Sequence, residues 1–372
     1  MRTADRSLAV RPCVCKNATR TPRVGNDADG HGSFSSCGPL RTKITIMSHT
    51  ELRSNQQPLI SVVVPHYNSS EILLPTVDSI LSAAVAEHVH VDLVVTDDGS
   101  SEPHLSALRE LMDRDVNVVF GAKNAGRSAA VNFGVANAKA ELLLILDCDC
   151  RPGSSRFFAG HLRAIANADV SLGGLLKMQN DFWGKYQDLA VERRLKQFTS
   201  GMPFSFTTQN ILIRRTAFQS VNGYDCSYTR YGFEDRDLLL RLHESGARFA
   251  HSPDSAVRHC DDRISLTSVA RKMRDASRYS AHMFRERHPE AYRSLGYANI
   301  DASLHPMLSP LGRAGGKIAR WLAARADPYL DRIPFSAGVT IARAVSALAY
   351  LGGSVESSGE GGLEKGGSPR ER

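Results

Sequence analysis

From residue 60 onward, short runs of β-branched and aliphatic residues alternate with segments whose apolar residues recur every three or four positions. The strand pattern occurs at residues 60–64, 91–96, 116–120 and 142–146, and the helical pattern at 73–84, 105–111 and 128–137. This alternation is typical of a mostly parallel sheet joined by crossover helices. We therefore expect an α/β fold with helices flanking a central sheet.

The pattern also divides the chain into four parts. Residues 1–57 show no helical or strand period and are expected to be disordered or an upstream extension. Residues 58–262 should form the α/β domain, with further strands at 170–176 and 211–214, a helix at 235–245 and an irregular stretch at 179–203. Residues 263–352 are expected to be basic amphipathic helices, and residues 353–372 a disordered tail.

The distribution of charge argues against a nucleic-acid binder. The net charge of +7 arises in residues 1–46, with eight Lys or Arg against three Asp or Glu, and in residues 265–325, with eleven against four. The remainder, which holds the candidate chemistry, is mildly acidic, so a phosphate-backbone groove is not expected there. Seven cysteines without a CxxC pair fit a reducing compartment. With no long uncharged apolar run, we expect a cytoplasmic protein that does not span a membrane.

Asp147 and Asp149 follow a very apolar run, residues 142–146, which predicts a central strand. Two carboxylates in this spacing can share a hard divalent cation with phosphate oxygens. In isolation the tripeptide would be more typical of a solvated turn. Its position at the end of a buried strand favours a diphosphate and metal site, because open α/β sheets bind ligands at that edge.

Two further motifs fall at the same edge. Asp97 and Asp98 end the second strand, where a carboxylate can accept a hydrogen bond from a pyrimidine or a ribose, or can simply stabilise a turn. Asn124, Gly126 and Arg127 precede a helix, where small residues allow a ligand to approach and Arg127 offers a charge-assisted hydrogen bond. The alternative for this second motif is a capped helix with a tight loop.

The order of these motifs resembles that of the family 2 glycosyltransferases of the GT-A fold. The resemblance extends from about residue 60 to residue 259 and is carried by five ordered motifs. These are Val-Val-Val-Pro65-His-Tyr-Asn68, Asp97-Asp98-Gly-Ser, the Asn124/Gly126/Asn132 pattern, Asp147-x-Asp149 and Phe233-Glu234-Asp235.

The resemblance implies a role for each motif. Pro65, Tyr67 and Asp98 would hold the nucleoside, and Asp147 and Asp149 would contact the ribose and a divalent metal, Mn²⁺ or Mg²⁺. Asp235 would be the catalytic base with Glu234 as its neighbour, and a carboxylate at a helix N-terminus is favoured as the anion. His259 would complete the metal site, although a hydrogen-bonded structural histidine fits the sequence nearly as well. Such a histidine ligand would favour Mn²⁺.

The resemblance implies transfer of a sugar from a nucleotide-sugar donor, expected to be a UDP-sugar, to an acceptor hydroxyl with inversion. Where relatives have Ala-Arg-Asn, this chain has Ala130-Val131-Asn132, so any nucleotide contact of the missing Arg must be lost or taken over by Arg127. The chain also lacks the Gln-x-x-Arg-Trp motif of processive synthases, which favours single addition, in cell-surface polysaccharide or glycolipid synthesis. The alternatives are a nucleotidyltransferase and a non-catalytic nucleotide-sugar binder.

The basic segment 265–325 has two interpretations. Its apolar residues, among them Leu266, Ala270 and Phe284, could pack a helix against the α/β domain. They could instead form a peripheral membrane contact at the inner face of the membrane, with residues 335–351 as a helper, which would bring the enzyme to a saccharide or lipid-linked acceptor.

Overall fold

The computed structural model describes residues 59–114, 116–176, 180–260 and 264–360. The disorder expected for residues 1–57 falls outside the described residues. The strands are β1 (Ile60–His66), β2 (Val91–Asp97), β3 (Asn117–Phe120), β4 (Leu142–Leu146), β5 (Cys150–Pro152), β6 (Val170–Leu175), β7 (Asn210–Arg214) and β8 (Phe249–His259).

Helices separate most of these strands and continue beyond them. They are α1 (Ser70–Ala86), α2 (His104–Met112), α3 (Arg127–Asn137), α4 (Phe157–Ile165), α5 (Phe182–Thr199), α6 (Arg215–Ser220), α7 (Glu234–Glu244), α8 (Leu266–Asp275), α9 (Ala281–Arg287), α10 (Pro289–Ser294), α11 (Ser309–Ala326) and α12 (Phe335–Glu360).

The strands form one mixed sheet in the order β3-β2-β1-β4-β7-β6-β8-β5. In one half, β1 pairs in parallel with β2 and β4, and β2 pairs in parallel with β3. In the other half, β7 is antiparallel to β4 and β6, and β5 is antiparallel to β8. The predicted α/β fold is confirmed, and its parallel half ends β1, β2 and β4 at one edge.

Burial on both faces of the sheet explains the apolar strand sequences. Along β1, Val62 and Val64 pack into one buried cluster, and Val63 packs into the cluster on the opposite face. Leu144 and Ile145 divide in the same way along β4. Since successive strand side chains point to opposite faces, a strand covered on both sides must be apolar at every position.

Two elements differ from the sequence prediction. The irregular stretch expected at 179–203 contains the helix α5, whose first turn is capped by Asp181 accepting a hydrogen bond from the Gly184 N–H at 2.8 Å. Most of its side chains are only half buried, so its apolar period is weak. Residues 353–360, which were expected to belong to a disordered tail, are helical, because α12 continues to Glu360.

Close helix packing explains why glycines do not end α12. A Cβ on Gly352 would lie 2.8 Å from the Gly316 N, and a Cβ on Gly315 would lie 2.8 Å from the Leu348 carbonyl oxygen. These glycines therefore let α11 and α12 approach at backbone distance. Within the described residues, 335–357 is the one helical stretch apolar and long enough to cross a membrane, and 44% of its most apolar window is buried. The core helix of a soluble protein can be equally long and apolar.

The apolar face of α8 packs into the protein. Leu266 and Ala270 are buried in a cluster with α11 and α12, and Phe284 of α9 is buried against the sheet domain. Of the two interpretations of this segment, helix packing is therefore the one that applies to these residues.

Candidate active site

The acidic residues singled out in the sequence meet at one edge of the sheet. Asp98 follows β2 and Asp147 follows β4, and these two strands flank β1. Residues that follow parallel strands converge at the same edge. Asp235, in the first turn of α7, reaches the same place, because one guanidinium bonds to both Asp147 and Asp235.

That guanidinium belongs to Arg127, the first residue of α3. Its Nε and Nη2 donate to Oδ1 of Asp147 at 2.9 and 2.7 Å, and its Nη1 donates to Oδ1 of Asp235 at 3.1 Å. Burial works to lower the pKa of Arg127, but the charges of Asp147 and Asp235 outweigh it and hold the pKa above its ordinary value. Arg127 therefore remains a cation that links the Asp-x-Asp motif to α7.

Thr208 and Tyr224 complete this cluster and were not predicted. The Thr208 hydroxyl donates to Asp235, and the Tyr224 hydroxyl donates to Thr208. Asn132 of the recognised motif positions Tyr224 by accepting from its N–H at 3.0 Å and donating to its carbonyl at 2.8 Å. The polar run at residues 207–210, just before a strand, was the signal in the sequence that could have indicated Thr208.

Glu234 and Asp235 occupy different environments at the start of α7. Glu234 is buried, and its Oε2 accepts from the Gly232 N–H at 2.8 Å. Burial and the nearby charge of Asp235 raise the pKa of Glu234 to about 7. Asp235 instead receives donors from Arg127 and Thr208. The raised pKa of Glu234 favours its protonated form, which cannot accept a further proton, so of the two acids Asp235 is the better candidate to accept one.

Asp97 and Asp98 stabilise the loops of the site. Asp98 accepts from the backbone N–H groups of Ala125 and Gly126 at 2.8 and 2.9 Å, and its burial raises its pKa. Gly126 has φ of 92°, and a Cβ there would lie 2.9 Å from the Thr229 carbonyl oxygen. Asp97 is buried, accepts from the Ser100 N–H at 3.0 Å and has Oδ1 3.2 Å from the His66 Nδ1.

Other residues predicted to bind the donor lie beside these loops. Pro65 is buried in β1, whereas Tyr67 just beyond it has 47% of its surface exposed. Asn124 is exposed in the loop that Asp98 holds. Tyr67 and Asn124 thus present side chains to solvent near the edge where the acids meet.

Asp149 and His259 are brought together by strand pairing. Cys150 of β5 pairs with His259 of β8, and the Cys260 N–H donates to the Asp149 carbonyl at 2.7 Å. This register puts His259 Nε2 3.2 Å from Asp149 Oδ2. Burial works to raise the pKa of Asp149, but the hydrogen bond and charge of His259 outweigh it and lower the pKa.

The donor set at this point is small. Among the described residues, no group of three or more His, Cys, Asp or Glu side chains is arranged to hold a metal ion. Asp147 is engaged by Arg127, which leaves Asp149 and His259 as the adjacent pair. Burial and the charge of Asp149 raise the pKa of Cys148 to about 12, so its thiol is a poor metal ligand.

Comparison with known proteins agrees with this arrangement. Residues 61–222 match the profile of Glycosyl transferase family 2, and residues 194–261 match that of the N-terminal domain of galactosyltransferase. A pre-mycofactocin glycosyltransferase of Mycobacterium tuberculosis is 28% identical over 284 residues, covering 74% of this chain and 54% of that protein. An undecaprenyl-phosphate 4-deoxy-4-formamido-L-arabinose transferase of Edwardsiella ictaluri is 26% identical over 188 residues, covering 50% and 52%.

The chain spans about half the length of these curated relatives. A solved structure with a similar fold is a mannosyltransferase from Pyrobaculum calidifontis in complex with GDP-Man and Mn²⁺. It has a TM-score of 0.53 and 20% identity, with 79% of this chain and 87% of that chain covered. The profile match over residues 61–222, together with the ordered motifs at the edge of the sheet, identifies this segment as a family 2 glycosyltransferase domain.

Proposed function

We propose that the chain transfers a sugar from a nucleotide-sugar donor to an acceptor hydroxyl with inversion at the anomeric carbon. The observation that carries this proposal is the bridge formed by Arg127 between Asp147 and Asp235. It brings the carboxylate expected at the donor and the carboxylate expected at the acceptor to one guanidinium, so that donor and acceptor would be held side by side.

In the proposed step, Asp235 removes the proton of the acceptor hydroxyl while its oxygen attacks the anomeric carbon. The new carbon–oxygen bond forms as the bond to the diphosphate breaks, and the nucleoside diphosphate leaves with the bonding electrons. Arg127 and Thr208 donate hydrogen bonds to Asp235 and orient its carboxylate before it accepts the proton. Water exclusion by the surrounding buried residues would strengthen these interactions.

The donor would bind along the edge formed by the loops after β1, β2 and β4. Asp98 holds the loop by accepting from the backbone N–H groups of Ala125 and Gly126, which leaves Tyr67 and Asn124 available to the nucleoside. A divalent cation, Mn²⁺ or Mg²⁺, held by Asp149 and His259 would neutralise charge on the departing diphosphate. The solved mannosyltransferase with GDP-Man and Mn²⁺ supports this assignment by fold alone.

The experiment is a screen of UDP- and GDP-sugars with Mn²⁺ for release of nucleoside diphosphate. We expect release with at least one donor, and loss of release in the variant that combines Asp147→Asn with Asp149→Asn. Full activity of that variant, or of the wild-type chain in excess chelator, would contradict the mechanism. Release of pyrophosphate instead of nucleoside diphosphate would indicate the alternative, a nucleotidyltransferase.

We also propose a peripheral contact with an anionic membrane surface, made by α11. Leu311, Ile318 and Trp321 are exposed along this helix, and Trp321 keeps 59% of its surface in solvent. Met307, just before the helix, is 94% exposed. An exposed apolar stripe on a basic helix is typical of helices that lie in a membrane interface.

The charge of α11 fits that partner. The helix contains four basic residues and no acid, and Arg313, Lys317 and Arg320 are exposed. The two acids that follow it are each engaged by a backbone N–H: Asp327 accepts from Leu266 at 2.8 Å, and the exposed Asp331 accepts from Phe182 at 2.6 Å. The outer surface of α11 is therefore positive, which favours a negatively charged lipid surface.

Vesicle co-sedimentation tests this contact. We expect binding to phosphatidylcholine vesicles that contain phosphatidylglycerol and little binding to phosphatidylcholine alone. Changing Arg313, Lys317 and Arg320 to Gln should weaken binding about 100-fold, at roughly fivefold for each basic residue. The matched control changes Arg109, Arg156 and Arg163 to Gln, three exposed basic residues outside α11, so that both variants lose the same charge. Equal binding by both variants would refute the contact.

A further inference from the structure

Three basic side chains near Asp235 have no acidic partner among the described residues. They are Arg194 of α5, Arg236 of α7 and Lys272 of α8, here called the cationic cluster, and none of them makes an ion pair or side-chain hydrogen bond with a described acid. The Nε of Arg236 is buried and has no hydrogen-bond acceptor. Removing a cationic group from water without a compensating anion is strongly unfavourable. A bound anion would remove that penalty.

The cationic cluster surrounds two tyrosines. Arg236 lies 5.5 Å from the centre of the Tyr297 ring, and Lys272 Nζ lies 5.8 Å from the centre of the Tyr231 ring. Tyr231 has 55% of its surface exposed, so the cationic cluster is open to solvent at this point. A ligand therefore has a route to it.

The cationic cluster also adjoins the catalytic carboxylate. Arg236 directly follows Asp235 in α7. Arg194 lines a cavity together with Thr207 and Gln209, the two residues on either side of the Asp235 partner Thr208. Burial and the positive charge of Arg236 lower the pKa of Arg194, whereas Tyr297, Tyr231, Asp235 and Glu234 raise the pKa of Arg236, so Arg194 is the member of the cluster whose charge the protein balances least.

We propose that the cationic cluster binds a phosphate group carried by the acceptor, next to the hydroxyl that Asp235 deprotonates. This inference rests on the proposed function, because Asp235 defines where the acceptor lies. A guanidinium presents two parallel N–H groups that match phosphate oxygens, and Lys272 adds a mobile point charge. The donor diphosphate is assigned to Asp149 and His259, so the cationic cluster remains available to the acceptor.

Exposed basic neighbours in the chain provide matched controls. Arg193 is exposed beside the half-buried Arg194, and Arg271 is exposed beside Lys272, which is itself exposed. One variant combines Arg194→Met with Lys272→Met, and the control combines Arg193→Met with Arg271→Met, so that both lose the same charge. Arg236 is left in place because it packs on aromatic rings and its loss could affect folding.

The probe is octyl phosphate, titrated by calorimetry in the presence of EDTA, with octanol as the probe that lacks the anion. We expect octyl phosphate to bind the wild-type chain, and about 100-fold weaker binding to the Arg194/Lys272 variant, at roughly tenfold for each charge-assisted bond. The control variant should retain the wild-type affinity. Equal affinity in the two variants, or equal binding of octanol and octyl phosphate, would overturn the proposal.

Glucose 1-phosphate and inorganic phosphate, titrated in parallel, distinguish the source of the phosphate. A lipid phosphate acceptor predicts tighter binding of octyl phosphate, and a soluble sugar phosphate predicts tighter binding of glucose 1-phosphate. In either case the affinity should fall in the Arg194/Lys272 variant. Competition between octyl phosphate and the nucleoside diphosphate would assign the cationic cluster to the donor and refute the proposal.

Donor hydrolysis separates this proposal from the function on which it rests. Slow hydrolysis of the nucleotide sugar in the absence of acceptor should be the same in the wild-type chain and in the Arg194/Lys272 variant. If the wild-type chain hydrolyses no donor, the proposed function fails whatever the phosphate titrations show. If hydrolysis occurs and phosphate affinity is unchanged in the variant, only the phosphate site fails.

Discussion

Replacing Glu234 by Gln should make the protein more stable above neutral pH. Burial and the charge of Asp235 raise the Glu234 pKa from 4.5 to about 7, so the fold favours the protonated form. The Gly232 N–H that donates to the carboxyl oxygen can donate equally to the amide oxygen of Gln. The substitution therefore keeps the hydrogen bond and removes the ionisation.

Proton linkage gives the direction and the size of this change in folding stability. Between pH 4.5 and about 7 the folded state keeps the Glu234 proton that the unfolded state has released, so stability falls as pH rises through this range and is constant above it. A shift of this size corresponds to about 3 kcal/mol at 1.36 kcal/mol for each pKa unit. The stability of Glu234→Gln relative to the wild-type chain should rise by about that amount over the same range.

Urea denaturation of both proteins at a series of pH values measures this difference, because ionisable groups that do not interact with Glu234 contribute equally to both proteins and cancel. The urea midpoint should shift without a change in the slope of the transition. Glu244→Gln, an exposed position on the same helix, gives the effect of the same substitution away from the site. A difference between Glu234→Gln and wild type that does not vary with pH would refute the reasoning.

Three further outcomes are expected at the site. Asp235→Asn should lower kcat by about 10²- to 10⁴-fold with little change in donor Kd, as measured by nucleoside diphosphate release and by calorimetry, and a variant with unchanged kcat would rule out Asp235 as the base. Arg127→Met should lower the free energy of unfolding by about 2 kcal/mol, because Asp147 and Asp235 lose charge-assisted bonds, and an unchanged urea midpoint would contradict this. His259→Ala should raise the Mn²⁺ concentration needed for half-maximal activity by about tenfold or more, and an unchanged metal titration would exclude His259 as a ligand.

Most strands and the helices between them could be predicted from the sequence, since each depends on local periodicity. The β4 strand was predicted with the bounds that the structure has, because a strand buried on both faces is apolar at every position. The helix α5 was missed because its side chains are mostly half buried and its period is weak. The end of α12 was misplaced because Gly352 serves close packing against α11, which no local signal reveals.

Some residues of the candidate site could likewise be predicted from the sequence, and others could not. Asp98, Asp147 and Asp235 could be predicted because each follows or begins a recognisable element. Tyr224 could not, and Thr208 was indicated only by the polar run at 207–210, because their hydrogen bonds join segments that are distant in the sequence. The roles of the predicted residues in catalysis and binding remain predictions, which the variants above test.

By itself the sequence determined the α/β class, the order of the motifs and the edge of the sheet at which they meet. These three conclusions need only the alternation of strand and helix patterns along the chain, and hydrophobic periodicity is a local property of the sequence. Only the tertiary structure decided which groups touch: Arg127 between Asp147 and Asp235, and His259 against Asp149 through the pairing of β5 with β8. Contacts between distant segments depend on how helices and strands pack, and residue types alone do not encode that geometry.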